Sequence, residues 1–193
     1  MKKRGRLGLA AAGIMLLAAG GGLFAQGTAA RAGRGGEIAL SFDLEPLLRA
    51  NLLEEDRGGL GGALNVEFFI APTYSVGLRA EGLMVPDVDR FYFGADGHFR
   101  FYVAPGGLIG PFVDMSVGWG GLFDKDSPDA KTGLRSGGLT YSLKLGYKQA
   151  LWRGFFVEPG LSYTLAKPSA GYGPAGFDLS LAGGYVFAPR RSK

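Results

Sequence analysis

The single histidine of the chain, His98, lies in the stretch ADGHFR, with Asp96 two residues before it and Arg100 two residues after. Alternate positions share one face of a β-strand, so an acid, an imidazole and a base would stand side by side there. An imidazole next to a carboxylate has the parts of a general base, but hydrolysis by that route also needs a nucleophile within hydrogen-bond reach. No serine stands two residues from His98 in HFR, and a packed, hydrogen-bonded histidine is the preferred reading over a catalyst. DKDSPDAK, Asp124 to Lys131, gathers three acids, yet it has neither the glycine nor the distal glutamate of an EF-hand loop. It reads as a solvated loop, and no metal site is expected. The absence of cysteine removes disulfides, thiolate metal sites and a lipid-modified N-terminal cysteine. No glycine loop of the phosphate-binding kind and no basic nucleic-acid patch stands in the sequence, so no cofactor and no nucleic-acid partner are expected.

The positions of these groups are set by one pattern that recurs eight times. Apolar and small or polar residues alternate with the period of a strand near 37–45, 60–70, 74–85, 90–103, 110–123, 137–148, 154–166 and 176–187. Each run is close to the roughly ten residues with which a tilted strand crosses a bilayer. One parity carries Leu40, Phe42, Leu64, Val66, Phe68, Leu78, Phe99, Met115, Trp119, Leu143, Leu145, Leu161 and Leu181. The other collects the charges Glu37, Asp43, Glu45, Glu67, Arg79, Glu81, Asp96, Arg100, Asp114, Lys144, Lys148, Glu158 and Asp178.

Alternation alone leaves open which face is wet. A face in bulk water would be rich in long Lys, Glu and Gln. Here the polar parity is full of Gly61, Ala63, Gly77, Gly94, Ser116, Gly118, Gly120, Gly146, Gly160, Ser162, Ala182 and Gly184. Small side chains suit the concave inside of a narrow barrel, so the Phe and Leu face is the convex, lipid-facing outside. Loop lengths point the same way. Long connections at 46–59 and 124–136 share one rim with those at 86–89 and 167–175, whereas the connections at 71–73, 104–108 and 149–153 are short and share the rim of both termini. The predicted fold is an all-β, closed, antiparallel, up-and-down eight-stranded transmembrane barrel.

Charges inside such a barrel must be paired, hydrated or neutralised. The expected network joins Arg79, Arg100 and Lys144 with Glu67, Glu81, Asp96 and Glu158, with His98 among them, and plugs the lumen. The functional alternative is a narrow cation-preferring path gated by the same bridges. Pro159 interrupts the seventh strand, where a bulge is expected. Gly58-Gly59 and Gly137-Gly138 are read as strand ends and bends, and EPLLRANLLEEDR, Glu45 to Arg57, as a short helix or a strand extension.

Lys2, Lys3, Arg4 and Arg6 precede an apolar run from Leu7 to Phe24 that ends at Ala25-Gln26, the plan of a secretory signal peptide preceding the barrel and cleaved from it. Removing those four from the 21 Lys and Arg leaves as many bases as the 17 Asp and Glu, so the formal charge of +4 belongs to the leader. The expected organisation is a signal peptide at 1–25, a short periplasmic linker at 26–35, the barrel at 36–187 and a basic tail at 188–193.

Leader, eight amphipathic strands and an aromatic-ended last strand, FDLSLAGGYVF, resemble the small OmpA/OmpX-type outer-membrane barrels over essentially all of residues 36–187. GGYVF is similar to the C-terminal signal of that family that the barrel-insertion machinery reads, although here APRRSK follows Phe187. The resemblance implies a monomeric integral protein of the outer membrane, in contact with its lipid and lipopolysaccharide, assembled by that machinery and without catalytic residues. The resemblance is specific for the fold and weak for activity; the long loops at 46–59 and 124–136 fit a structural or adhesin-like role, with an extracellular ligand expected there. The rival readings are a lipid A-modifying enzyme with His98 as base and, more remotely, a soluble lipocalin-like carrier whose apolar face points inward.

Overall fold

The computed structural model describes residues 36–48, 59–85, 90–103, 110–124, 134–166 and 176–187. The leader at 1–25, the linker at 26–35, the tail at 188–193 and most of loops 46–59 and 124–136 lie outside the described residues. Eight strands follow one another: β1 (Ile38–Asp43), β2 (Leu60–Ala71), β3 (Tyr74–Val85), β4 (Arg90–Tyr102), β5 (Gly110–Asp124), β6 (Leu134–Ala150), β7 (Phe155–Ala166) and β8 (Gly176–Phe187). Each pairs antiparallel with its chain neighbours, and β1 closes the circle by pairing with both β2 and β8. Closure leaves no unpaired sheet edge, the condition for strands to cross hydrocarbon. Among the described residues no helix is long and apolar enough to do so.

The faces fall as the small-residue argument requires. Leu40, Phe42, Leu64, Leu78, Met115, Leu145 and Phe177 are exposed on the outside, whereas Glu67, Arg100, Asp114, Lys144, Lys148, Glu158 and Asp178 are buried inside. The small inner residues make room for large ones. A side chain begun at Gly77 would run into His98, one at Gly146 into the Phe112 ring, and one at Gly120 into Tyr92. Large and small positions therefore interdigitate across a lumen too narrow for two large neighbours.

The two described turns on the rim of the termini are tight. Pro72 and Thr73 join β2 to β3, and Leu151 to Gly154 join β6 to β7 with Arg153 at φ 50° and Gly154 at φ 94°. The second of these is a conformation that glycine adopts without strain.

Two local expectations, at Gly137-Gly138 and at Pro159, need correction. Gly137-Gly138 is not a strand end, because β6 starts at Leu134 and pairs Gly137 with Gly121 and Gly138 with Gly120. The outer gap at Gly137 is filled by the Trp119 ring from the neighbouring strand. No bulge forms at Pro159 either: the β7–β8 register runs unbroken through Pro159 and Leu181, and the β6–β7 register is the same on both sides. Pairing is instead skipped between Gly146 and Gln149 on the β6 side, where a prolyl nitrogen has no hydrogen to give. The irregularity of that ladder sits at Tyr141/Ser142. Of the segment 45–57, Glu45–Leu48 forms a single helical turn, α1, and the remainder lies outside the described residues.

Candidate functional site

The only large assembly of polar side chains among the described residues fills the lumen in three tiers. At the turn rim, Ala39, Phe69, Tyr102, Phe112, Phe156 and Val186 form a buried apolar cluster. Lys148 is driven into it, 0% exposed, with its Nζ 4.6 Å from the Phe156 ring centroid and 5.3 Å from those of Phe69 and Tyr102. The ammonium is compensated by Glu67, whose Oε2 accepts from Lys148 Nζ at 2.5 Å, and it also donates to the Tyr102 hydroxyl at 2.7 Å. Glu67 Oε1 in turn accepts from Tyr102 at 2.6 Å and from Ser75 at 2.5 Å. Each polar atom buried in this apolar end has a partner, as burial demands.

The middle tier turns on Arg100, 2% exposed. Its Nε donates to Asp114 at 2.8 Å and its Nη1 to Glu158 at 2.8 Å and, more weakly, to Glu67 at 3.4 Å, while its guanidinium stacks 4.1 Å from the Phe112 centroid. Planarity lets one arginine serve three acids and a ring at once. Lys144 donates to Asp43 at 3.0 Å and lies 3.5 Å from Glu158. His98 hangs between this tier and β2: its Nε2 donates to Asn65 Oδ1 at 2.8 Å, and its Nδ1 stands 3.1 Å from Asp114 Oδ2.

The loop-rim tier is held by Arg79. Its two terminal nitrogens donate to Glu45 at 3.1 Å and Glu81 at 3.0 Å. Glu45 arrives from α1, whose first turn dips into the mouth so that Glu45 and Pro46 are buried. Asp43 Oδ1 accepts from the Glu45 backbone N–H, and Ser162 donates to the Glu45 carboxylate at 3.2 Å. Among the described residues, gaps between the tiers include two of about 20 and 30 Å³, both lined by Asp96, Arg79, Ser116 and Ser142. Each has room for one or two waters.

Of the eight residues expected in the network, Glu67, Arg79, Glu81, Arg100, Lys144 and Glu158 are joined by ion pairs, and His98 reaches Asp114 and Asn65. Asp96 stands apart. It lies directly across the ladder from Arg79, but Arg79 turns to Glu45 and Glu81, and Asp96 Oδ1 is left without a hydrogen-bond partner. The pairing roles of Lys148, Asp43, Asp114 and Glu45 were not legible in the alternation, nor was the aromatic floor. Its signal is the doubled aromatics Phe68-Phe69 and Phe155-Phe156, where the alternation fails because one ring points out and the next points in. Ser116, not two residues along the chain but opposite His98 on β5, bonds to Ser142 at 2.6 Å, so the imidazole and the nearest lumen hydroxyls have separate partners.

No family model matches the chain, and no curated protein matches its sequence. Solved structures do match its fold. Neisserial surface protein A (NspA) is 11% identical, covering 79% of this chain and 94% of its own, with a TM-score of 0.54. The N-terminal β-barrel domain of Pseudomonas aeruginosa OprF is 12% identical over 79% and 98% of the two chains at a TM-score of 0.52. The Yersinia pestis outer membrane protein Ail, in a phospholipid bilayer nanodisc, is 14% identical over 79% and 99% at 0.52. The shared feature is the closed eight-stranded barrel of outer-membrane proteins, with an apolar outer wall fit for lipid.

Proposed function

We propose that this outer-membrane barrel does its work on the outside, through the loops at 46–59 and 124–136 and through its contribution to the envelope, and not by passing or converting a solute in its lumen. The observation that carries this reading is the filled interior, three tiers of bridged charge and ring with gaps of about 20 and 30 Å³. A hydrated ion needs a continuous path, and the Lys148–Glu67 bridge set among Phe69, Tyr102 and Phe156 stands across it. His98 is 7% exposed and turned to Asn65, away from any lipid substrate. The similarity of fold to a Neisserial surface protein agrees with a role at the cell surface.

The test is conductance of the full-length protein in planar lipid bilayers, paired with protease added to intact cells. The expected result is no steady current and cleavage confined to the 46–59 and 124–136 loops. A stable cation-selective current would replace this reading with a narrow pore, and loops inaccessible from outside would reverse the assigned orientation.

A further inference from the structure

The outer wall is not evenly convex. Gly183 faces outward from β8, paired with Phe42 of β1 on one side and Val157 of β7 on the other. The nearest atom to where its side chain would begin is 4.0 Å away. This gap opens a groove of about 800 Å³ walled by Leu40, Phe42, Leu64, Phe155, Tyr185 and Trp152. It runs from the middle of the wall to the turn rim, where Trp152 ends it. The Arg153 guanidinium lies 4.5 Å from the Trp152 ring centroid and is exposed. An apolar trough thus ends on a cation at the level where hydrocarbon gives way to headgroups.

That combination matches one amphiphile, an acyl chain ending in a phosphate. We propose that the groove binds one glycerophospholipid of the periplasmic leaflet, with an acyl chain along Gly183 and the phosphate on Arg153. The proposal takes from the functional reading the barrel's place in the membrane and its orientation, with the turn rim on the periplasmic side. A second copy of the chain fits the groove less well. Two barrels meeting face to face about an axis normal to the membrane bring their Arg153 residues to the same level, cation against cation. Lipopolysaccharide carries its phosphates at the opposite rim, away from Arg153.

The experiment is native mass spectrometry of the full-length protein extracted in mild detergent, then delipidated and titrated with phosphatidylglycerol or lipopolysaccharide. One phospholipid retained per chain is expected. Gly183→Leu has space for its side chain and a better strand former at the site, and it fills the trough. It is expected to lower phosphatidylglycerol retention about tenfold, as two methylenes losing their contact would. Arg153→Gln, which leaves the groove open, is expected to lower it about fivefold, the weight of one cation near a charged lipid surface. Retention unchanged in Gly183→Leu, preference for lipopolysaccharide, or a dimer lost in that variant would each overturn the proposal. The heat-dependent gel shift of each variant reports folding separately: a wild-type chain without it overturns the membrane premise and this site together, whereas a shifted band with no bound lipid overturns this site alone.

Discussion

At the scale of single residues, Glu67 has the highest stake. It is 1% exposed and compensates both Lys148 and Arg100 while accepting from Tyr102 and Ser75. Glu67→Gln keeps the shape and removes the charge, leaving the Lys148 ammonium inside an aromatic cluster with only its longer contact to Glu158, 3.6 Å. Breaking a buried pair from one side costs about 3–5 kcal/mol, so the urea midpoint for unfolding from lipid vesicles should fall steeply. Asp96→Asn is the control. Its carboxylate takes part in none of the lumen ion pairs and leaves Oδ1 without a partner, so the same titration should show no loss. The sequence marked both residues as lumen acids; that one is indispensable and the other spare follows from where Arg79 and Lys148 reach.

At the scale of elements, β7 shows how a local rule and a closed sheet are reconciled. Pro159 was expected to force a bulge, and instead the strand keeps register with β8 and forgoes pairs with β6. A bulge would shift every later side chain of β7 by one and turn Glu158 or Ser162 towards lipid, which costs more than a lost ladder bond. Pro159→Val restores the missing donor without moving the register. It is expected to stabilise the barrel by about 1 kcal/mol, the net worth of one hydrogen bond, read as a raised temperature for loss of the folded gel band. The single turn of α1 makes the complementary point. Its Leu-rich continuation looked like a helix or a strand extension, and the described part is a helical turn because Asp43 caps the Glu45 amide and Arg79 draws the Glu45 side chain into the mouth.

At the scale of the whole molecule, the decisive property is that the barrel is inside out. Leu78 stands in the middle of β3, 66% exposed on the outer wall. Leu78→Arg should cost about 2–4 kcal/mol in a bilayer, the expense of a guanidinium at the midplane. In a water-soluble barrel the same exposed site would accept arginine freely, so the sign of the change in vesicle unfolding reads the environment of the wall. The wall is apolar on the outside and the lumen is crowded by its own ion pairs and rings, which is the packing that the proposed work through the loops starts from.

The sequence by itself determined the number of strands, the direction each side chain faces and which face meets lipid. These depend on the two-residue alternation of Cβ directions and on side-chain size, both local quantities. It also determined the set of charges that must share the lumen. The tertiary structure alone decided who pairs with whom. Lys144 meets Asp43 across 101 positions of the chain and Lys148 meets Glu67 across 81. Those heights are set by the register of every hairpin and by the closure of β1 onto β8, offsets that no single strand's pattern carries. The same closure brings Phe69, Tyr102, Phe112 and Phe156 from four strands into one floor, and it sets Gly183 and Trp152 along one groove, neither of which alternation alone could assemble.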